Sequence, residues 1–67
     1  MCEISEIGFA AGEIWKYLSE HGQVTSIKIK ISLELSNTML YLALGWLARE
    51  NKIDIIFSDY SCKISLK

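Results

Sequence analysis

Apolar and polar positions along this chain follow two different periods, and the change of period marks its elements. From about Ser5 to His21, Ile7, Ala11, Ile14 and Leu18 recur at helical spacing with Trp15 beside them, while Glu13, Lys16 and Glu20 fall on the other face. Ser5 suits the cap at the start of this helix, and Gly22 the left-handed position after its end. Residues 23–36, QVTSIKIKISLELS, read two ways. Ile27, Ile29, Ile31, Leu33 and Leu35 alternate strictly with Lys28, Lys30, Ser32 and Glu34, which locally favours a strand. The same residues also accept a helix capped by Thr25 or Ser26, with Ile29 and Leu33 four apart on one face. A helix is predicted from Ser36 or Asn37 to Glu50. Ser36 is its N-cap, Asn51 sits at the left-handed position after it, and Met39, Leu40, Ala43, Trp46 and Leu47 share one side. Two strands follow, Lys52–Ser58 and Tyr60–Lys67. Ile53, Ile55 and Phe57 alternate in the first, and Cys62, Ile64 and Leu66 in the second, with Ser58 and Asp59 as the short turn of a hairpin.

Helix, extended piece, helix, turn, helix, hairpin is the order of a winged helix-turn-helix domain. Three stretches strengthen that reading: AGEIWKYL at 11–18, LS at 35–36 and YLALGWLARENKI at 41–53. With them the chain resembles, over nearly its whole length, a small prokaryotic winged helix-turn-helix family of uncharacterised function. ALGWLARE with the following KI is the most specific piece; Leu-Ser before the third helix is a generic feature. The resemblance implies an α+β fold, with three helices, a C-terminal two-stranded β-hairpin wing and a short third strand near residues 23–25. It also implies that residues 26–33 form the second helix despite their alternation, with Thr25, Ile29, Leu33, Leu35 and Ser36 in register. Two positions depart from the pattern: Glu34 stands where the turn usually has Gly, and Asn51 where Gly is expected before Lys-Ile. The second change is milder, since Asn also accepts φ > 0. The expected core combines Ile14, Trp15, Leu18, Ile29, Leu33, Leu40, Ala43, Trp46, Leu47, Ile55, Phe57 and Ile64.

Length and composition bound what such a fold can do. At 67 residues the chain reads as one small domain spanning 1–67, and at 51% hydrophobic it has apolar surface to spare for a partner. The net charge of −1 is not that of a strong DNA binder. Residues 1–22 carry Glu3, Glu6, Glu13 and Glu20 against Lys16, and the rest of the chain is close to neutral. Cys2 and Cys62 form neither a disulfide framework nor a zinc pattern, so a reduced, cytoplasmic setting fits best. No apolar run reaches membrane-spanning length, and MCEISEIGFA lacks the basic and apolar regions of a signal peptide.

The question for function is whether the third helix reads DNA. In a winged helix-turn-helix its outer face enters the major groove. The helical projection assigns that face to Asn37, Thr38, Tyr41, Leu42, Gly45, Ala48 and Arg49. Asn37, Thr38 and Arg49 have the chemistry that reads base edges, and Tyr41 that of a phosphate contact. Leu42, Gly45 and Ala48 do not. Phosphate neutralisation would fall to Lys28 and Lys30 on the second helix, Arg49, Lys52, and Lys63 on the wing, opposed by Glu34 and Asp59. That inventory supports weak binding to double-stranded DNA. The alternative is a protein contact through the same flat, apolar face; Phe9 and Tyr17, off the core stripe of the first helix, would extend an interface elsewhere, and Ile27 and Ile31, off the Ile29/Leu33 face, leave more apolar surface to cover. Either reading is compatible with a homodimer.

Nothing in the chain supports an enzyme. His21, at the end of the first helix, has no carboxylate, Ser or Cys partner placed beside it, and a protonated His there suits the helix dipole. Cys62 falls on an inward strand position, as a small apolar residue does. Trp15 and Trp46 lie at core spacing, and Glu13 and Glu20 read as a solvated face. The glycines are scattered singly, with no phosphate-cradling loop. The expectation is a non-enzymatic binding module with no cofactor, metal or small-molecule substrate.

Overall fold

A computed structural model describes residues 4–58 and 61–67. The order is α1 (Ile4–His21), β1 (Val24–Thr25), α2 (Ser26–Leu33), α3 (Asn37–Arg49), β2 (Ile53–Phe57) and β3 (Cys62–Leu66). The expected turn residue Asp59, the expected strand start at Tyr60, and Cys2 lie outside the described residues. Ser5 is not a cap: α1 already runs from Ile4, with Glu6 in the first turn where a carboxylate suits the helix dipole.

The ends of α2 explain why an alternating segment is helical. Thr25 is extended and its Oγ1 accepts a hydrogen bond from the Lys28 N–H at 3.2 Å, so the segment begins with a satisfied N-cap. Glu34 is left-handed at φ 53. The Glu34 N–H donates to the Ile31 carbonyl and the Leu35 N–H to that of Lys30, the paired bonds of a Schellman stop. Glu34 therefore holds the geometry expected of a glycine, at a conformational cost of about 1–2 kcal/mol. A helix also spreads the isoleucines around its axis: Ile29 is completely buried, while Ile27 and Ile31 face outward.

Helix α3 is capped by Ser36, whose Oγ accepts from the Met39 N–H at 3.1 Å. It ends in the same way as α2, with Asn51 left-handed at φ 60 and the Lys52 N–H donating to the Leu47 carbonyl. Its buried residues are Leu40, Ala43, Leu44 and Leu47. The core stripe is thus rotated from the one expected, gaining Leu44 and setting Met39 and Trp46 on one flank. At about 100° per residue, those two lie some 100–120° from Leu40, at the edge of the packed face. Trp46 is 38% exposed, a correction to its expected core placement.

The core joins Ala10, Ala11, Ile14 and Leu18 of α1 to Ile29 of α2, the α3 stripe, Ile53 of β2 and Ile64 of β3. Leu33 and Ile55 are partly buried against it. Two further core expectations fail. Trp15 is exposed because it sits one residue, about 100°, around α1 from Ile14. Phe57 is 78% exposed because it ends β2, beyond the helices, although it alternates with Ile53 and Ile55. The sheet order is β1-β3-β2, antiparallel throughout, with Ile64 opposite Val24 on one side and Ile55 on the other. The two-residue β1 is the third strand expected near residues 23–25, and it ties the start of α2 to the wing. Gly22, left-handed at φ 76, makes the turn from α1 into it.

Candidate binding face on α1 and α3

All seven residues projected onto the outer face of α3 are exposed: Asn37, Thr38, Tyr41, Leu42, Gly45, Ala48 and Arg49. The face is not flat. Tyr41, Leu42, Gly45 and Arg49 line a groove of about 650 Å³, together with Trp46 and Glu50 of the same helix end and Ile4 and Ile7 from the first turn of α1. Sequence reasoning missed Ile4, Ile7, Trp46 and Glu50 as members of this surface. Trp46 had been assigned to the core and Ile7 to the apolar stripe of the first helix by their spacing, and only the packing of α1 alongside α3 brings Ile4 to the groove.

Trp46 forms a ridge rather than a plug. Its ring lies over Gly8, where an added Cβ would stand 3.5 Å from the indole. Beyond the ridge a second, smaller groove of about 330 Å³ is lined by Gly8, Ala11, Gly12 and Trp15 of α1, with Trp46, Leu47 and Lys52. Of the six α1 residues that line the two grooves, Ile4, Gly8, Ala11 and Trp15 follow an i, i+4, i+7, i+11 pattern, with Ile7 and Gly12 beside them. That is the spacing of a helix–helix seam, and it shares Ala11 with the core stripe of α1.

The cationic candidates do not gather on this face. Arg49 lines the large groove and Lys52 the small one, whereas Lys28, Lys30 and Lys63 line neither. Lys63 on β3 is exposed and paired in register with Thr25, whose side chain caps the Lys28 N–H. Lys28 and Lys63 therefore belong to one end of the molecule, where β1 meets α2. Lys30 is half-buried, so its stem packs on the body and less of it is available to a phosphate. Among the described residues the ion pair formed is that of Lys67 with Asp54, at 3.9 Å, and Lys67 also donates to Asn51 Oδ1 at 2.6 Å. Glu50 adds an acid to the groove rim beside Arg49.

Other surface expectations divide. Phe9, Ile27 and Ile31 are exposed as expected. Tyr17 is not a free interface residue: its hydroxyl is hydrogen-bonded to Ser32 Oγ at 3.0 Å, and its ring lies 4.2 Å from that of His21. The pair ties the end of α1 to α2 and gives His21 a structural contact. Cys62 is a half-buried free thiol against the core. Among the described residues no group of His, Cys, Asp and Glu is gathered as a metal site would require, and no helix is long and apolar enough to cross a membrane.

A two-helix turn unit, α2–α3, preceded by α1 and followed by a hairpin wing that pairs with a strand before α2, defines a winged helix-turn-helix domain. The chain belongs to the family described as "Winged helix-turn-helix domain (DUF2582)", a domain of unknown function whose profile matches residues 1–66. No curated protein matches the chain significantly.

Proposed function

We propose that this chain is a non-enzymatic binding module acting through the outer face of α3, and that the ligand of that face is protein. The observation that carries the reading is the apolar groove built from Tyr41, Leu42, Gly45 and Trp46 of α3 with Ile4 and Ile7 of α1. A helix serving the major groove presents donors and acceptors to base edges and cations to phosphates. Here the middle of the helix presents rings, a leucine and a glycine, with one arginine and an adjacent glutamate. Apolar, aromatic-lined concavities with a thin charged rim are the anatomy of protein interfaces. The spare apolar surface and the cysteine usage fit a small partner-binding domain in a reduced, cytoplasmic setting.

DNA binding is the second reading. It is favoured by the fold class and by the exposure of Asn37 and Thr38 in the first turn of α3 and of Lys28, Arg49, Lys52 and Lys63 around the body. An amide NMR titration with mixed-sequence duplex DNA at low salt decides between the two, observed at Thr38, Tyr41, Gly45, Arg49 and Lys63. The protein-contact reading expects no clustered response on α3. Salt-sensitive shifts converging on those residues would replace it with the DNA reading. In that case Arg49→Ala would lower the salt slope of binding by about one.

A further inference from the structure

We infer that the α1–α3 face is the contact between two copies of this chain. The inference rests on the protein-contact reading above and names its partner. Three observations support a second copy as the occupant.

The first is area. Ile4, Trp15, Tyr41, Leu42 and Trp46 stand on this one face between 38% and 73% exposed. Taking a full large side chain as ~200 Å², they present roughly 500 Å² of surface. A standard interface buries about 600–1,000 Å² per partner. Homodimer interfaces are ~65% apolar, so each partner needs about 400–650 Å² of apolar surface. The exposed face reaches the lower part of that range.

The second is shape. An isologous contact requires one surface to carry both its protrusions and the recesses that receive them. This face does. Trp46 stands between two grooves as a ridge, and each groove has glycine in its lining: Gly45 in one, Gly8 and Gly12 in the other. A Cβ built on Gly45 or Gly12 meets no atom within 4 Å, so these recesses open outward and the fold itself does not require them. The helix interior would be better served by alanine at both positions, whereas a close approach by a second helix is served by glycine.

The third is charge. Arg49 and Glu50 line the same groove, and among the described residues neither makes an ion pair within the chain. A two-fold axis across the groove can set the Arg49 of each copy against the Glu50 of the other. With a net charge of −1, the two copies hardly repel.

The test uses the full chain and both of its tryptophans, since Trp15 and Trp46 are the two the sequence contains and both line the face. Sedimentation equilibrium at a chain concentration of ~100 µM, where contacts in the micromolar range or tighter are populated, should give twice the 7.6 kDa of the chain. Tryptophan emission should move to the red on dilution as the rings become wet. Gly45→Glu places a carboxylate in the groove without touching the fold, and should halve the mass while leaving the circular dichroism spectrum unchanged. Ile31→Glu, on exposed α2 surface outside the face, should leave the mass doubled. Leu42→Glu provides an independent second disruption. A wild-type chain that sediments as a monomer overturns the inference, and so does a Gly45→Glu chain that remains a dimer. A monomer that is also silent to DNA leaves the protein-contact reading standing with a different partner. A monomer whose α3 amides respond to DNA overturns both.

Discussion

Ile29→Ala and Ile31→Ala, made side by side, test the element on which the fold depends. The two residues are chemically identical and lie two apart in an alternating run. In a strand they would share a face and cost alike. In the helix α2, Ile29 is completely buried and Ile31 is 69% exposed. Truncating a buried isoleucine to alanine costs about 2–5 kcal/mol, from lost transfer energy and the cavity left behind. A chain of this size has only about 3–10 kcal/mol of stability to lose, at 0.05–0.15 kcal/mol per residue. Ile29→Ala is therefore expected to be at or beyond the point of unfolding, and Ile29→Val, at about 0.5–1.5 kcal/mol, supplies a measurable companion. Ile31→Ala removes little burial and replaces a β-branched residue with the best helix former, so it should fall within about 0.5 kcal/mol of wild type or gain slightly. Urea unfolding followed by far-ultraviolet circular dichroism reads the difference. With m near 1 kcal/mol/M, Ile29→Val should move the midpoint by about 1 M and Ile31→Ala by less than half of that. Chain concentration must be held constant, since the proposed self-association would add to apparent stability. Equal losses from Ile29→Val and a conservative Ile31→Val would refute the helical assignment of residues 26–33.

Other changes test other joints. Trp46→Ala should cost about 1.5–3 kcal/mol, less than the 3–5 of a fully buried ring; a larger loss in thermal melts of a monomeric background would mean that the indole is more deeply packed than its exposure indicates. Glu34→Gly relieves a left-handed non-glycine residue and should raise the melting temperature by a few degrees, at about 4–8 °C per kcal/mol for a domain this small. Gly22→Ala, at φ 76, should lower it; the same sign for both changes would show that the left-handed positions are not what limits these turns. Ser36→Ala removes the acceptor for the Met39 N–H and should cost about 1 kcal/mol, and a hydrogen-exchange profile unchanged in the first turn of α3 would contradict that role.

What could be read in advance depended on whether the signal was local. Caps and stops were legible because each is carried by a few adjacent residues: Thr25, Ser36, Gly22 and Asn51 all take the roles their chemistry allows. The hairpin followed from strict alternation, though only its register decided that Ile53 and Ile64 enter the core while Phe57 passes beyond it. The outer face of α3 was legible for the same reason, since a helical projection needs only the period. Helix α2 was not decided by its own residues. An alternating run of isoleucines satisfies a strand and a helix alike, and resemblance to a known family tipped the reading.

The candidate binding face was the least legible part, and for a physical reason. Spacing assigns each apolar residue to one side of its own helix, but it does not say where the neighbouring helix will lie. Trp15 and Trp46 have the spacing of core residues, and they would be core if α1 and α3 met a few tens of degrees around their axes. In the folded chain the two helices contribute Ala10, Ala11, Ile14 and Leu18, and Leu40, Ala43, Leu44 and Leu47, to one buried cluster, and both tryptophans are left exposed. The sequence by itself determined α1, α3 and the hairpin, the Ser36 cap, the Gly22 and Asn51 stops, and which way α3 looks outward. Tertiary packing alone decided that Ile4 and Ile7 reach the α3 surface, that glycines line the grooves on both sides of Trp46, and that a helix of the kind that reads DNA carries an apolar cleft instead.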